Sequence, residues 1–358
     1  MRLKRLELWW RRVWIRLLVR LMRRPDDARP QWGTRPTRVL FLRHDRAGDM
    51  ILSTGVMRAI ASSYPTVTLD VLASPINASL VDGVDYLADV IVFDKKKLSS
   101  YLPTALRLRR ARYDAVIDCM VTAPSVTTLL LILASGARYR VGIAGRDNDA
   151  AFNITVPNDA PPATHIVDRL ALLARAFDVQ LDGRTRHPVL TVSADERDWA
   201  SATWGSSGSP RVLVNISAGG SDRVWPDARY VAVMHHIRAK SPSTTIKVIA
   251  SPAEATRGES IAHDGQGEFV RTKAIRDAMA LVATADFVFT PDTSIAHAVS
   301  AFQKPAVAIY GRGKKAEWAL YGTVGRSIEH TDRLPELGVE RVLDAIDEVW
   351  DEARLSRG

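Results

Sequence analysis

From Arg38 onward, short β-branched runs alternate with helically spaced apolar residues, and the whole alternation occurs twice. Val39–Leu42, Val67–Leu72, Val90–Phe93, Ala115–Asp118 and Tyr139–Gly142 read as strands of a first set. Val212–Ile216, Ile246–Ala250, Phe269–Val270, Phe287–Thr290 and Ala306–Tyr310 read as a second, with helices near 226–240, 253–263, 274–284 and 294–302. Strands joined through helical crossovers pair in parallel, and near-continuous apolar strands need helices on both faces of the sheet. The two sets are parted by Asp182–Pro210, which carries the loop Ser206-Ser207-Gly208-Ser209-Pro210. The expected fold class is therefore α/β, with two Rossmann-like domains, 31–190 and 191–358, facing a central cleft. A chain of 358 residues suits two domains with separate cores.

Charge is concentrated rather than spread. The net charge is +9, and residues 1–30 hold ten basic side chains against three acidic ones, which is +7 of it. The remainder is close to neutral, so the basic balance does not point to nucleic acid. On a helix Leu3, Leu6, Trp10, Val13, Trp14, Leu17 and Leu21 share one face, while Arg5, Arg12, Arg16, Arg20 and Arg23 line another. Each Arg at a bilayer centre costs about 2.5–3.5 kcal/mol, so this segment does not span a membrane. It also lacks the unbroken apolar stretch of a signal peptide. The physical reading of residues 1–24 is an amphipathic helix lying on an anionic membrane surface. Packing on the protein's own surface, an oligomer contact and a nucleic-acid arm are the alternatives. Pro25 ends the helix, and Asp26–Thr37 reads as a linker. The single cysteine, Cys119, excludes an intramolecular disulfide framework and a multi-cysteine zinc site.

Neither half carries a G-x-G-x-x-G turn or a Walker loop, so dinucleotide and P-loop chemistry are weak readings. Open α/β sheets bind ligands beyond their strand C-termini, which directs attention to the strand-to-helix loops. After the first strand comes Arg43-His44-Asp45-Arg46-Ala47-Gly48-Asp49, where Asp49 is placed to act as general base or merely to cap the helix. The helix N-terminus should favour its ionised form. In the second half Ser217-Ala218-Gly219-Gly220 offers close backbone approach, and Arg223 can neutralise a phosphate. Asp292-Thr293-Ser294 opens a helix whose free amides make an anion site, with His297 one turn on. Glu254, after the intervening strand, can accept hydrogen bonds from a ribose. Asp147-Asn148-Asp149 spells a D-x-D sequence, but away from the phosphate loops, and is not expected to hold metal.

The order of these fragments resembles glycosyltransferase family 9, the lipopolysaccharide heptosyltransferases. The carrying residues are Arg43 to Asp49, Tyr113 to Asp118, Tyr139-Arg140-Val141-Gly142, His165 to Arg169, Arg223-Val224-Trp225-Pro226, and Asp292 to His297. The resemblance implies a GT-B architecture, with the acceptor on the N-terminal domain and a nucleotide sugar on the C-terminal one. It implies Asp49 as the base, Arg223 on the diphosphate, Asp292, Thr293 and His297 on phosphates and sugar, and Glu254 near the ribose. Ser294 stands where the family usually has glycine.

The implied activity is inverting, metal-independent transfer of heptose or a related sugar from an ADP-sugar to a lipopolysaccharide core or similar glycolipid, with no cofactor beyond that donor. The implied place is cytoplasmic, on the inner face of the bacterial cytoplasmic membrane. A transferase acting on another glycan or on protein, a GT-B nucleotide-sugar epimerase, and a non-catalytic membrane scaffold are the other readings.

Overall fold

A computed structural model describes residues 13–22, 30–120, 125–145, 148–205, 210–218, 220 and 223–355. The chain divides into two compact units, Met1–Pro188 and Val189–Gly358. Each is built on its own six-stranded parallel sheet.

In the first unit, β1 (Thr37–Arg43) lies near the centre, because Val39 to Leu42 are fully buried and need cover on both faces. Around it stand β2 (Val67–Ala73), β3 (Asp89–Val92), β4 (Ala115–Asp118), β5 (Tyr139–Ile143) and β6 (Ile154–Val156), in the order β3-β2-β1-β4-β5-β6. Strand order reverses between β1 and β4, so the loops leaving these two strands diverge and open a crevice at their C-terminal ends. Helix α1 covers 13–22, followed by α2 (Ala47–Ser63), α3 (Tyr101–Ala111), α4 (Val126–Ser135) and α5 (Ile166–Ala171). α3 and α4 share one apolar cluster with sheet residues Leu40, Leu42, Leu72, Ile91 and Val116.

α1 joins that same cluster. Ile15, Leu18 and Met22 are buried in it, so the helix is held to the protein by a face other than the one expected to be its apolar stripe. At about 1.5–3 kcal/mol per buried aliphatic side chain, three such residues are a substantial anchor. Trp14, Leu17 and Leu21, from the expected stripe, stay exposed, and Leu3, Leu6, Trp10, Arg5, Arg12 and Arg23 lie outside the described residues. The expected linker is also partly structural. Trp32 is buried, its indole donates to the Ala176 carbonyl at 2.8 Å, and it stacks on Phe177 at 4.5 Å.

The second unit contains β7 (Arg211–Asn215), β8 (Thr245–Ile249), β9 (Glu268–Phe269), β10 (Phe287–Pro291), β11 (Ala306–Tyr310) and β12 (Gly325–Glu329), in the order β12-β11-β10-β7-β8-β9. Its reversal falls between β7 and β10. The helices are α6 (Ala194–Trp204), α7 (Asp227–Lys240), α8 (Ala255–Asp264), α9 (Ile275–Thr284), α10 (Ser294–Phe302), α11 (Lys315–Trp318) and α12 (Glu340–Leu355).

α6 sits inside the stretch read as an interdomain loop. Ser193 and Glu196 form a reciprocal capping box at its start, a signature that composition alone concealed. Trp225 centres the core: its ring meets Tyr230 edge-on at 5.0 Å and its indole donates to the Leu337 carbonyl at 2.9 Å. α12 closes over that core through Trp350, 5.6 Å from Phe287.

Among the described residues no helix is long and apolar enough to cross a membrane.

Candidate functional site

In the first unit the loop from β1 to α2 occupies the strand-order reversal. Asp49 is the third residue of α2, while Arg46 holds the capping position without a side-chain cap bond. The capping alternative for Asp49 is thereby removed. Its half-buried carboxylate makes no hydrogen bond or ion pair among the described residues. Burial pushes its pKa up to about 6, with Arg43 and Arg46 pulling down and Asp45 pushing up. The helix N-terminus therefore does not hold it at an ordinary carboxylate value. At neutral pH it remains mostly ionised, and a base poised just below the working pH suits proton abstraction.

The loop that carries Asp49 is fixed by residues the sequence did not single out. Asn77 is fully buried, and its amide donates to the carbonyl of Arg43 at 3.0 Å and that of Arg46 at 3.4 Å. Ser74 donates its hydroxyl to the Asp45 carbonyl at 3.0 Å. Arg43 is buried with its Nη1 3.0 Å from Asp45, and supplies positive potential behind Asp49. His44 is also buried, which drives its pKa down to about 4, so it is neutral and serves as packing beside Phe93. Asp149 of the D-x-D sequence accepts from the Gly145 amide at 2.6 Å, Asn148 is buried, and Asp147 lies outside the described residues.

In the second unit one side chain knits the site. Asn215, the last residue of β7, donates to the hydroxyls of Thr290 and Thr293 at 2.9 and 3.0 Å. Its carbonyl oxygen accepts from the Ser217 amide at 3.1 Å. The loops after β7 and β10 are thus locked together at the reversal point, and sequence reading missed the residue responsible. Thr293 caps α10 by accepting from the Ile295 amide at 3.3 Å. The Ser294 amide and hydroxyl carry no partner among the described residues, which leaves an open donor at the positive end of the helix.

Arg223 reaches this helix start. Its guanidinium stands 3.7 Å from the Asp292 carboxylate and is one-third exposed. At that separation the ion pair is loose, so the guanidinium keeps donors free for an anion. His297 lies buried one turn into α10, its ring 6.0 Å from that of Trp318. Trp318 ends α11, a short helix that likewise went unread in the sequence.

Glu254 is brought to the same loops, but its oxygens are largely engaged. One accepts from the Ala218 amide at 3.3 Å and the Ser251 hydroxyl at 2.7 Å, the other from Arg257 at 3.3 Å. It braces the β7 loop, with acceptor capacity for one further hydrogen bond. Gly219 lies outside the described residues. The assembled chemistry suits an anion: an open helix N-terminus, a partly free guanidinium and a buried imidazole.

The chain matches the model of glycosyltransferase family 9 (heptosyltransferase) over residues 104–345. It belongs to that family. The match takes in these loops, the whole of the second sheet and β4 to β6 of the first, and makes this chain a glycosyltransferase. It is 22% identical to lipopolysaccharide heptosyltransferase 2 of Escherichia coli over 297 residues, 76% of this chain and 82% of that protein. Among solved structures it is similar to a family 9 glycosyl transferase from Veillonella parvula (TM-score 0.77, 14% identity, 89% of this chain and 99% of the other). It is also similar to the E. coli heptosyltransferase WaaC with ADP (TM-score 0.69, 18% identity, 87% of this chain and 100% of the other). These likenesses give the family 9 transferase its GT-B type of fold.

Proposed function

We propose that this chain moves heptose, or a related sugar, from an ADP-sugar to a lipopolysaccharide core or similar glycolipid, with inversion and without metal. The observation that carries the reading is the Asn215-knitted cradle of Arg223, Asp292, Thr293, Ser294 and His297 in a family 9 chain. A relative of the same fold has been solved with ADP, which supports an adenosine diphosphate as the donor's leaving group.

In the proposed reaction Asp49 takes the proton of an acceptor hydroxyl. The oxygen attacks the anomeric carbon from the face opposite the diphosphate, forming the new glycosidic bond. The carbon–oxygen bond to the β-phosphate breaks, and its electron pair leaves with ADP. Arg223, the Ser294 amide and His297 stabilise the charge that grows on the departing diphosphate, and preorganised donors of this kind are among the largest contributors to such rates. Glu254 meets the ribose. The protein works at the inner face of the cytoplasmic membrane, held in part by its N-terminal helix.

The test is transfer itself. Mass spectrometry of membrane glycolipid with and without the gene should show one missing heptose, and purified protein should release ADP from ADP-heptose only when acceptor is present. Release that is independent of acceptor, or an unchanged glycolipid, overturns the reading.

A further inference from the structure

The first unit carries an outer surface that the transfer reading leaves unused. α1, α3 and α4 bury their inner faces in a single cluster on one side of the sheet, so their outward residues share one face. Each helix presents an apolar stripe there. On α1 it is Trp14, Leu17 and Leu21; on α3, Leu102 and Leu106; on α4, Leu130 and Leu133. Leu98, just before α3, is 88% exposed and Leu102 68%. Scattered exposed leucines are ordinary, but stripes on three adjacent helices are not.

The rim of this face is basic. Lys95, Lys96 and Lys97 precede α3, and Arg109 and Arg110 end it, all of them exposed. Between residues 94 and 112 the only acidic side chain is Asp94, which lies 3.7 Å from Lys97. Arg109 lies over the C-terminus of α4, its guanidinium filling the space that a Cβ on Gly136 would need, 1.6 Å away. On α1, Arg16 and Arg20 flank the Trp14 stripe.

We infer that the outer face of α1, α3 and α4 is a composite docking surface for an anionic lipid bilayer. Apolar stripes bordered by exposed lysine and arginine match the interfacial layer, where leucine and tryptophan enter the acyl boundary and cations meet headgroup phosphates. An uncharged apolar partner would satisfy the leucines but leave the cation rim without a counter-charge, whereas an anionic bilayer meets both at once. The inference rests on the membrane part of the proposed function and changes its content. α1 is not a free anchor but one of three helices in a face built by the folded unit.

The experiment is flotation of the full-length chain with vesicles of phosphatidylcholine alone or with phosphatidylglycerol, in the absence of donor and acceptor. Two variants leave residues 1–24 intact: Lys95→Ser/Lys96→Ser/Lys97→Ser, and Leu102→Ser/Leu106→Ser. All five side chains are exposed, and thermal melts confirm that both variants fold.

The wild type should float with anionic vesicles and not with neutral ones, and salt should release it. At about fivefold per cation near a charged surface, the triple lysine variant should lose on the order of 100-fold in partitioning. The leucine variant should lose at least tenfold, with ADP affinity unchanged in both. Equal flotation of wild type and variants overturns the inference, as does failure of the wild type to bind anionic vesicles. A wild-type dimer that the leucine variant converts to monomer overturns it too, by assigning the face to a second copy. Because no sugar is transferred, failure here leaves the transfer reading intact, and failed transfer leaves this result standing.

Discussion

The side-chain amide of Asn215 donates to the Thr293 hydroxyl across 3.0 Å and so couples the end of β7 to the cap of α10. Removing it in Asn215→Ala takes one donor from each of two hydroxyls and leaves the Ser217 amide unmatched, at about 1–3 kcal/mol of stability. Affinity for ADP, measured by calorimetry, should fall at least tenfold as the cradle loosens. Asn215→Asp is the sharper case. The threonine hydroxyls can turn to donate to the new carboxylate, so the melting temperature should hold better than in the alanine variant. Affinity should still fall, because a negative charge then stands behind the phosphates.

Asp49 makes a prediction about pH. Its pKa of about 6 means that kcat/KM should rise with unit slope below pH 6 and level off above it. Asp49→Asn should cost on the order of 10²–10⁴ in transfer while leaving ADP affinity unchanged. Stability should move the other way. A carboxyl whose folded pKa lies above its unfolded value loses stability as pH rises between the two, from near 4 to near 6. The asparagine variant should therefore be more stable than wild type by about 1–3 kcal/mol at pH 8, with the gap closing by pH 4. Chemical denaturation at both pH values checks it.

Arg223 stands one-third exposed and only loosely paired to Asp292. A charge-assisted hydrogen bond contributes about 1.5–3 kcal/mol, so Arg223→Ala should weaken ADP binding by roughly 10- to 100-fold. Arg223→Lys should recover part of the charge but not a bidentate fork. Titrations of ADP against AMP separate the effects, since the loss should be larger for the diphosphate.

Gly55 tests packing away from the chemistry. A Cβ there would lie 2.3 Å from the Arg186 carbonyl oxygen and 2.6 Å from that of His187, both backbone atoms that do not yield easily. Gly55→Ala should lower stability by about 1–3 kcal/mol, the range for overpacking. Gly183→Ala, with nothing within 4 Å, should stay within about 0.5 kcal/mol of wild type. Parallel thermal melts read both.

The fold was legible where burial is two-sided. Val39 to Leu42 and Phe287 to Phe289 announce themselves because a strand covered on both faces is apolar on both. β6, Ile154–Val156, and β12, Gly325–Glu329, escaped reading because edge strands are covered less and carry polar residues. Asp49, Arg223 and the Asp292 segment were legible for another reason: a strand followed by a helix start fixes where an open α/β sheet presents its ligands.

The order of residues was enough for the strand-helix alternation, the loops in which phosphate and proton chemistry can sit, and the concentration of positive charge at the N-terminus. Those are local properties, set by the spacing of side chains along one segment. Tertiary structure decided which distant segments meet: Asn77 under the Asp49 loop, Asn215 across to Thr293, Glu254 against Ala218, Trp32 under Phe177. It also decided that α1 packs through Ile15, Leu18 and Met22 and leaves Trp14, Leu17 and Leu21 outward. A helix apolar on two faces has no single buried side until the sheet and its neighbouring helices supply one.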